Sequence, residues 1–224
     1  MIHKTAVVAG STGLIGTRLL EALGAAPEYS LVVALTRRAS SGGSGKLQWR
    51  SADFERLDKV LGDIRGSESV PLDAFCCLGT TIKVAGSQDA FRRVDFDYVV
   101  RFGRWAFGAN ARRLVVVSAL GADPASRVFY NRIKGEAEQT LGALGLASLV
   151  VLRPSLLDGE RKEVRPGERV ALKLTRPIRK LLPRSVRPVL DVDVAATMLS
   201  AARADHAPLL IESAQMHDAA AQLG

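Results

Sequence analysis

Tyr130 and Lys134 stand four residues apart in a stretch, 129–144, whose apolar residues recur at helical spacing, so their side chains share one helix face. A phenol titrates near about 10 in water, and an ammonium one turn away favours the phenolate. Such a pair can pass a proton to or from a carbonyl oxygen. Ser118 closes a short apolar run, 114–118, and its hydroxyl could orient the same oxygen. A surface Tyr/Lys pair and a helix-capping serine would carry the same letters. Position gives the pattern its weight, because the serine run and the tyrosine helix both follow a glycine-rich loop.

That loop is Gly10-Ser11-Thr12-Gly13-Leu14-Ile15-Gly16. It follows an apolar run at 5–9 and opens an amphipathic stretch at 14–23. Three glycines at this spacing allow a sharp turn, approach of a pyrophosphate to bare backbone, and tight packing of helix on strand. The helix N-terminus adds unpaired N–H groups and partial positive charge. The next apolar run ends Thr36-Arg37-Arg38, where a binder of the 2′-hydroxyl would carry Asp or Glu. A guanidinium there grips a 2′-phosphate and a carboxylate repels it, so NADP(H) is favoured over NAD(H). Both arginines could equally be solvated loop residues, and Arg37 is the better candidate.

Further apolar runs must form the sheet that positions these groups. Strands are expected at 5–9, 31–35, 47–51, 74–78, 114–118, 149–153 and 208–211. Helices are expected at 14–23, 55–62, 89–109, 129–144, 193–202 and 213–222, with a Ser/Gly-rich loop at 39–45. Strands that are apolar throughout, separated by helices, imply a parallel sheet covered on both faces. The expectation is therefore a Rossmann-type, doubly wound α/β fold in one domain, with a small C-terminal cap at about 154–190 over the carboxyl ends of the strands.

Along most of its length the chain resembles the short-chain dehydrogenase/reductase superfamily, and within it the atypical branch of Tat-interacting-protein oxidoreductases. The resemblance is carried by the glycine loop, Leu35-Thr36-Arg37, Asp53-Phe54, Phe75-Cys76-Cys77-Leu78-Gly79-Thr80-Thr81 and Val94-Asp95-Phe96-Asp97-Tyr98. It continues in Ser118-Ala119-Leu120-Gly121-Ala122-Asp123, Tyr130 to Lys134 with Gly135-Glu136, Arg153-Pro154-Ser155, and Arg165-Pro166-Gly167-Glu168. It implies that Asp53 and Phe54 lie against an adenine. It also implies that Leu78, Gly79 and Thr80 line a cofactor groove, and that Pro154, Ser155 and Leu156 approach the nicotinamide. Asp53 alone could be a helix cap, and the Leu-Gly-Thr-Thr run merely a strand end. Two positions depart from the superfamily pattern. Asp95 stands where an asparagine often supports a proton relay, and Ala119 where a second serine is common.

Composition narrows the remaining choices. With 47% hydrophobic residues among 224, the chain can bury a sizeable core. Lys and Arg outnumber Asp and Glu by 31 to 23, and the excess concentrates in 153–187, which holds 11 basic and 4 acidic residues. That segment carries no aromatic residue to stack on bases, so nucleic acid is not the expected partner. Its interleaved apolar residues suggest an amphipathic cap with a basic face, open to a protein partner. The histidines, His3, His206 and His217, join no ligand pattern, and no metal site is expected. Adjacent Cys76 and Cys77 cannot staple distant segments, and buried free thiols suit a reducing compartment. No apolar stretch is long enough for a membrane span, and a cytoplasmic location is expected. Two functions stay open. One is an NADP(H)-dependent oxidoreductase acting on a small carbonyl or alcohol. The other is a non-enzymatic NADP(H)-binding regulator that acts through a protein partner.

Overall fold

A computed structural model describes residues 3–37, 45–158, 182–206 and 209–222. The apolar runs become β1 (Lys4–Ala9), β2 (Tyr29–Thr36), β3 (Leu47–Ser51), β4 (Leu72–Cys76), β5 (Arg113–Val117) and β6 (Leu149–Arg153). Two short strands, β7 (Leu157–Asp158) and β8 (Val189–Leu190), pair with each other, and β9 (Leu210–Glu212) rejoins the main sheet. Among the described residues that sheet has seven strands in the order β3-β2-β1-β4-β5-β6-β9, every neighbouring pair parallel. The first six follow the Rossmann order, with its reversal between β1 and β4.

The helices are α1 (Leu14–Ala25), α2 (Leu57–Leu61), α3 (Ile82–Ala85), α4 (Gln88–Arg92), α5 (Tyr98–Gly108), α6 (Phe129–Gly142), α7 (Asp191–Arg203) and α8 (Ser213–Met216). Alternate strand residues feed two cores. Ala6 and Val8 of β1, with Val115 and Val117 of β5, pack with Leu19 and Leu23 of α1 and Met198 and Leu199 of α7. Their neighbours Val7, Ala9, Leu114 and Val116 face the other way, with Leu61, Phe102 and Leu141. Both sheet faces are therefore dry, which is why the strands are apolar at consecutive positions rather than at alternate ones.

Several expected boundaries move. β4 stops at Cys76, and the chain then leaves the sheet with Cys77 N still bonded to the Ala9 carbonyl at 2.8 Å. The long helix expected at 89–109 begins as α4 and continues into α5 through a wider, π-type turn at Arg93–Asp97. The expected closing helix stops after one turn, where His217 becomes extended (φ −67°, ψ 137°) and Asp218 takes a positive φ of 67°; a separate 3-10 turn follows at Ala220–Gln222. α3, β7 and β8 are too short to leave a periodic signal. Of the cap, only the flanks are described. Val189 N donates to the Leu156 carbonyl at 2.9 Å, and Ser155 Oγ to the Arg187 carbonyl at 2.5 Å. Residues 159–181, including Arg165-Pro166-Gly167-Glu168, lie outside the described residues, as do 39–44.

A polar cluster fixes the amino end of the sheet. Asp73, wholly buried in β4, accepts from Tyr29 Oη at 2.7 Å and faces Arg112 Nη2, also at 2.7 Å. Burial, and then Asp73, hold the Tyr29 hydroxyl protonated well above the usual phenol range. Arg113 donates to the carbonyls of Ala201 and Ala204 at the end of α7, and to Ser148 Oγ at 3.0 Å. Removing one partner of a buried pair leaves an uncompensated charge. Arg112→Leu should therefore lower unfolding stability by about 3 kcal/mol. Arg50→Ala, which breaks a pair with exposed Asp63, should cost under about 1 kcal/mol. Urea unfolding measures both, and equal losses would show that the Asp73 cluster is not the anchor described.

Candidate active site

The glycine loop sits where β1 meets α1. Gly10 has φ +77°, and a Cβ there would stand 2.6 Å from the Cys77 carbonyl carbon. A Cβ on Gly16 would stand 2.1 Å from the Gly10 carbonyl oxygen, and one on Gly13 3.2 Å from it. The glycines thus let three backbone segments touch, as their spacing required. Ser11 is buried and donates from Oγ to the Leu35 carbonyl at 2.5 Å, tying the loop to β2. Thr12 is exposed, Leu14 half-buried, and Ile15 and Gly16 buried. No side chain caps α1, so its first-turn N–H groups remain available to an anion.

Beyond β2, Arg37, Ser51, Ala52, Asp53, Phe54 and Tyr98 surround an open cavity of about 290 Å³. Arg37 is exposed on its rim, and Arg38 lies outside the described residues. Asp53 accepts from Glu55 N at 2.9 Å, a local turn contact that still leaves its carboxylate on the cavity wall. Phe54 stacks on Tyr98, with ring centroids 5.3 Å apart and planes 24° apart. From sequence, Tyr98 belongs to the Val94-Asp95-Phe96-Asp97-Tyr98 run with no binding role of its own. Its lone signal was an aromatic residue just beyond Asp95.

The third part lies past β4. Leu78 and Thr80 are half-buried, and Gly79 is exposed. The π-type turn aims Asp95 inward, where its Oδ1 lies 2.8 Å from Lys134 Nζ of α6. This is a charge contact rather than an aligned hydrogen bond. Asp95 Oδ2 accepts from Thr80 N at 2.9 Å. A Cβ on Gly79 would lie 3.5 Å from Asp95 Oδ1 and 3.7 Å from Lys134 Nζ, so this loop is the roof of the pair. Burial disfavours the Lys134 charge, yet Asp95, together with Tyr130 and Cys76, outweighs burial and holds its pKa above the ordinary lysine value. Tyr130, one turn earlier, is half-buried against Phe91 at a centroid distance of 5.5 Å.

Ser118 lies just beyond β5, and its hydroxyl donates to Glu138 Oε1. Glu138 is also gripped by Arg153, whose Nη2 lies 2.6 Å from Oε2. A cavity of about 10 Å³ is bounded by Asp95, Ser118, Lys134 and Glu138 together with apolar side chains. Glu138 was not among the expected site residues, although its place one turn after Lys134 was a usable signal. Pro154 is buried, and its carbonyl accepts from Leu120 N at 2.9 Å. Ser155 N donates to Ser213 Oγ at 3.2 Å, and Leu156 is half-buried beside β8. Among the described residues no group of His, Cys, Asp and Glu could hold a metal ion, and no helix is long and apolar enough to cross a membrane.

A parallel sheet in Rossmann order, with a glycine loop where β1 meets α1, defines a protein of the Rossmann type. Protein HTATIP2 of Rattus norvegicus is 34% identical over 176 residues, covering 77% of this chain and 71% of the rat protein. Protein fmp52, mitochondrial, of Emericella nidulans is 33% identical over 164 residues, covering 72% and 70%. The chain belongs to this HTATIP2/FMP52 family. No protein-family model matches it. Among solved structures, a UDP-N-acetylglucosamine 4-epimerase from Methanobrevibacter ruminantium superposes with TM-score 0.68 at 16% identity, covering 95% of this chain and 77% of that one. A dTDP-4-dehydrorhamnose reductase from Bacillus anthracis, in complex with NADP, superposes with TM-score 0.64 at 14% identity, covering 95% and 75%.

The fungal relatives are named mitochondrial, which overturns the cytoplasmic expectation. The thiols could not have decided it. Burial pushes Cys76 up to about 11 and Cys77 well above the usual thiol value, which disfavours the thiolate whatever the compartment.

The backbone contacts around the loops predict unequal tolerance of a methyl group. Gly16→Ala must displace the Gly10 carbonyl and should lower the melting temperature by about 5 °C or more. Gly79→Ala makes only ordinary contacts and should melt within about 2 °C of the parent. Calorimetry decides, and the reverse order would mean that the loop packs differently.

Proposed function

We propose that the chain is an NADP(H)-dependent oxidoreductase acting on a small carbonyl or alcohol. The observation that carries this reading is Lys134, buried and held charged one turn after Tyr130, beneath the Gly79 loop and past the carboxyl end of β4. The fit to a dinucleotide rests on the glycine cradle that a Cβ would fill at Gly10, Gly13 and Gly16, and on the uncapped start of α1. In this reading Ser11, Thr12, Leu14 and Ile15 complete the pyrophosphate loop. Arg37 takes the 2′-phosphate at the mouth of the 290 Å³ cavity, and Asp53, Phe54 and Tyr98 bound the adenine. Leu78, Gly79, Thr80, Pro154, Ser155 and Leu156 flank the nicotinamide half.

The bound nicotinamide supplies or accepts hydride. The protein handles the proton. Tyr130 gives its hydroxyl proton to the carbonyl oxygen in reduction and takes one back in oxidation. Lys134 stabilises the negative charge left on the phenol oxygen and offers N–H donors to the ribose hydroxyls. Ser118 orients the carbonyl, which requires its hydroxyl to turn away from Glu138.

One observation favours a second reading, an NADP(H)-binding regulator without turnover. The Ser118 hydroxyl is committed to Glu138, and Ala119 beside it has no hydroxyl to offer. Turnover separates the two readings, and calorimetric titration tests the cofactor they share. In the enzyme, Tyr130→Phe should cut turnover of a carbonyl panel by about 100-fold or more while NADPH affinity holds. Arg37→Ala should weaken NADPH at least about tenfold and leave NADH unchanged in calorimetric titration. No oxidation of NADPH with any carbonyl, combined with tight NADPH binding, would replace the enzyme by the regulator.

A further inference from the structure

The charges around Tyr130 bear on the direction in which the site works, and the inference here rests on the oxidoreductase reading. Lys134 and Asp95 are 6% and 0% exposed, so neither is screened by water. The groups facing the ammonium are Asp95 from the π-type turn, Tyr130 from α6 and Cys76 from β4. Glu138 and Ser118 share the small cavity beside it. Cys76 is a neutral thiol, and the Glu138 charge is answered by Arg153. Asp95 is therefore the carboxylate in contact with Lys134 among the described residues.

A lone ammonium would favour the phenolate of a neighbouring tyrosine. An ammonium with a carboxylate 2.8 Å from it is a compact dipole, whose effect one helical turn away is much smaller than that of a bare charge. We propose that Asp95 is a positioning residue that offsets the Lys134 charge at Tyr130, so that Tyr130 keeps its proton and the site is biased toward carbonyl reduction over alcohol oxidation. The same carboxylate holds the cofactor-groove loop through Thr80 N. Removing its charge should therefore be done without removing its acceptor.

Asp95→Asn meets that need. It keeps size and an amide oxygen for Thr80 N–H, and loses the charge. The readout is phenolate ultraviolet absorbance against pH, on protein with neither cofactor nor substrate, with Tyr130→Phe in each background to isolate Tyr130. The chain has three tyrosines, and Tyr29 is held protonated by burial and Asp73. Ionisation of Tyr130 should begin about one pH unit or more lower in Asp95→Asn than in the parent. The rising limb of alcohol oxidation with NADP+ should move down by a similar amount. Lys134→Met alone should move the titration up, and Asp95→Asn with Lys134→Met should bring it back to within about half a unit of the parent. That double variant tests the proposal even if Asp95→Asn does not fold, because it buries no unpaired charge. Coincident curves for Asp95→Asn and parent, or a double variant displaced as far as Lys134→Met, would overturn the proposal. The titration needs no turnover. It can therefore fail while Tyr130→Phe still abolishes activity, and it can succeed where no carbonyl is reduced.

Discussion

A lysine ammonium cannot be buried past the carboxyl end of a parallel sheet unless a carboxylate is brought to it, and much of the upper half of this molecule is arranged to do that. Desolvating either charge alone would cost several kcal/mol. The compensation comes from different parts of the chain. α6 carries Lys134, and the helix running from α4 into α5 widens by a π-type turn to aim Asp95 inward. The strand end after β4 then lays Thr80 N on the second carboxylate oxygen. Gly79 lies close over the pair, where even a Cβ would touch both charged groups. A regular helix at 93–97 would rotate Asp95 relative to α6. The irregularity is thus the means by which the pair forms, in keeping with the tendency of π-type turns to sit at functional sites.

The two ends of the sheet use buried charge differently. At the amino end, Asp73, Tyr29, Arg112 and Arg113 bond mainly to one another and to the last carbonyls of α7. The hydrogen bonds there bind elements together. At the carboxyl end, the glycines at 10, 13 and 16 remove side chains, α1 is uncapped, and Arg37 stands exposed at a cavity. Those groups are left open, and unpaired donors beside a cavity are what an anionic ligand needs. Donors left open on loops above a hydrogen-bonded sheet end match the general placement of ligand sites on loops held by a scaffold.

The glycine loop, the parallel sheet and the helix carrying Tyr130 and Lys134 were legible because each has a periodic or steric signature. Consecutive apolar residues as in Val115-Val116-Val117 fit a strand dry on both faces, and alternate members enter separate cores. What was not legible depends on contacts between segments far apart in sequence. In the sequence Asp95 stands out only as a departure from a pattern, because nothing in Val94-Asp95-Phe96 says that the helix widens there. Glu138 lies within a helix whose letters predict a solvated face, and Arg153 holds it as a half-buried partner of Ser118. The closing helix ends early where His217 turns extended and Asp218 adopts a positive φ, a conformation that aspartate tolerates but does not announce.

Ser118 shows why the chemistry cannot be read from residue type alone. As a letter at the end of a strand it is a donor for a carbonyl oxygen. In the fold its hydroxyl is bonded to a carboxylate already neutralised by a guanidinium. For that hydroxyl to serve a substrate, Glu138 must give up an acceptor contact while keeping Arg153, and Arg153 donates to both Glu138 oxygens. The exchange is therefore feasible without leaving a buried carboxylate unpaired, the costly outcome in a dry site. Lys134 has no such freedom, because Asp95 is its counter-charge and also holds the Thr80 backbone. Under the proposed mechanism, the Lys134–Asp95 side that would handle the proton is the fixed part, and the Ser118 side that would orient a substrate is the adjustable one.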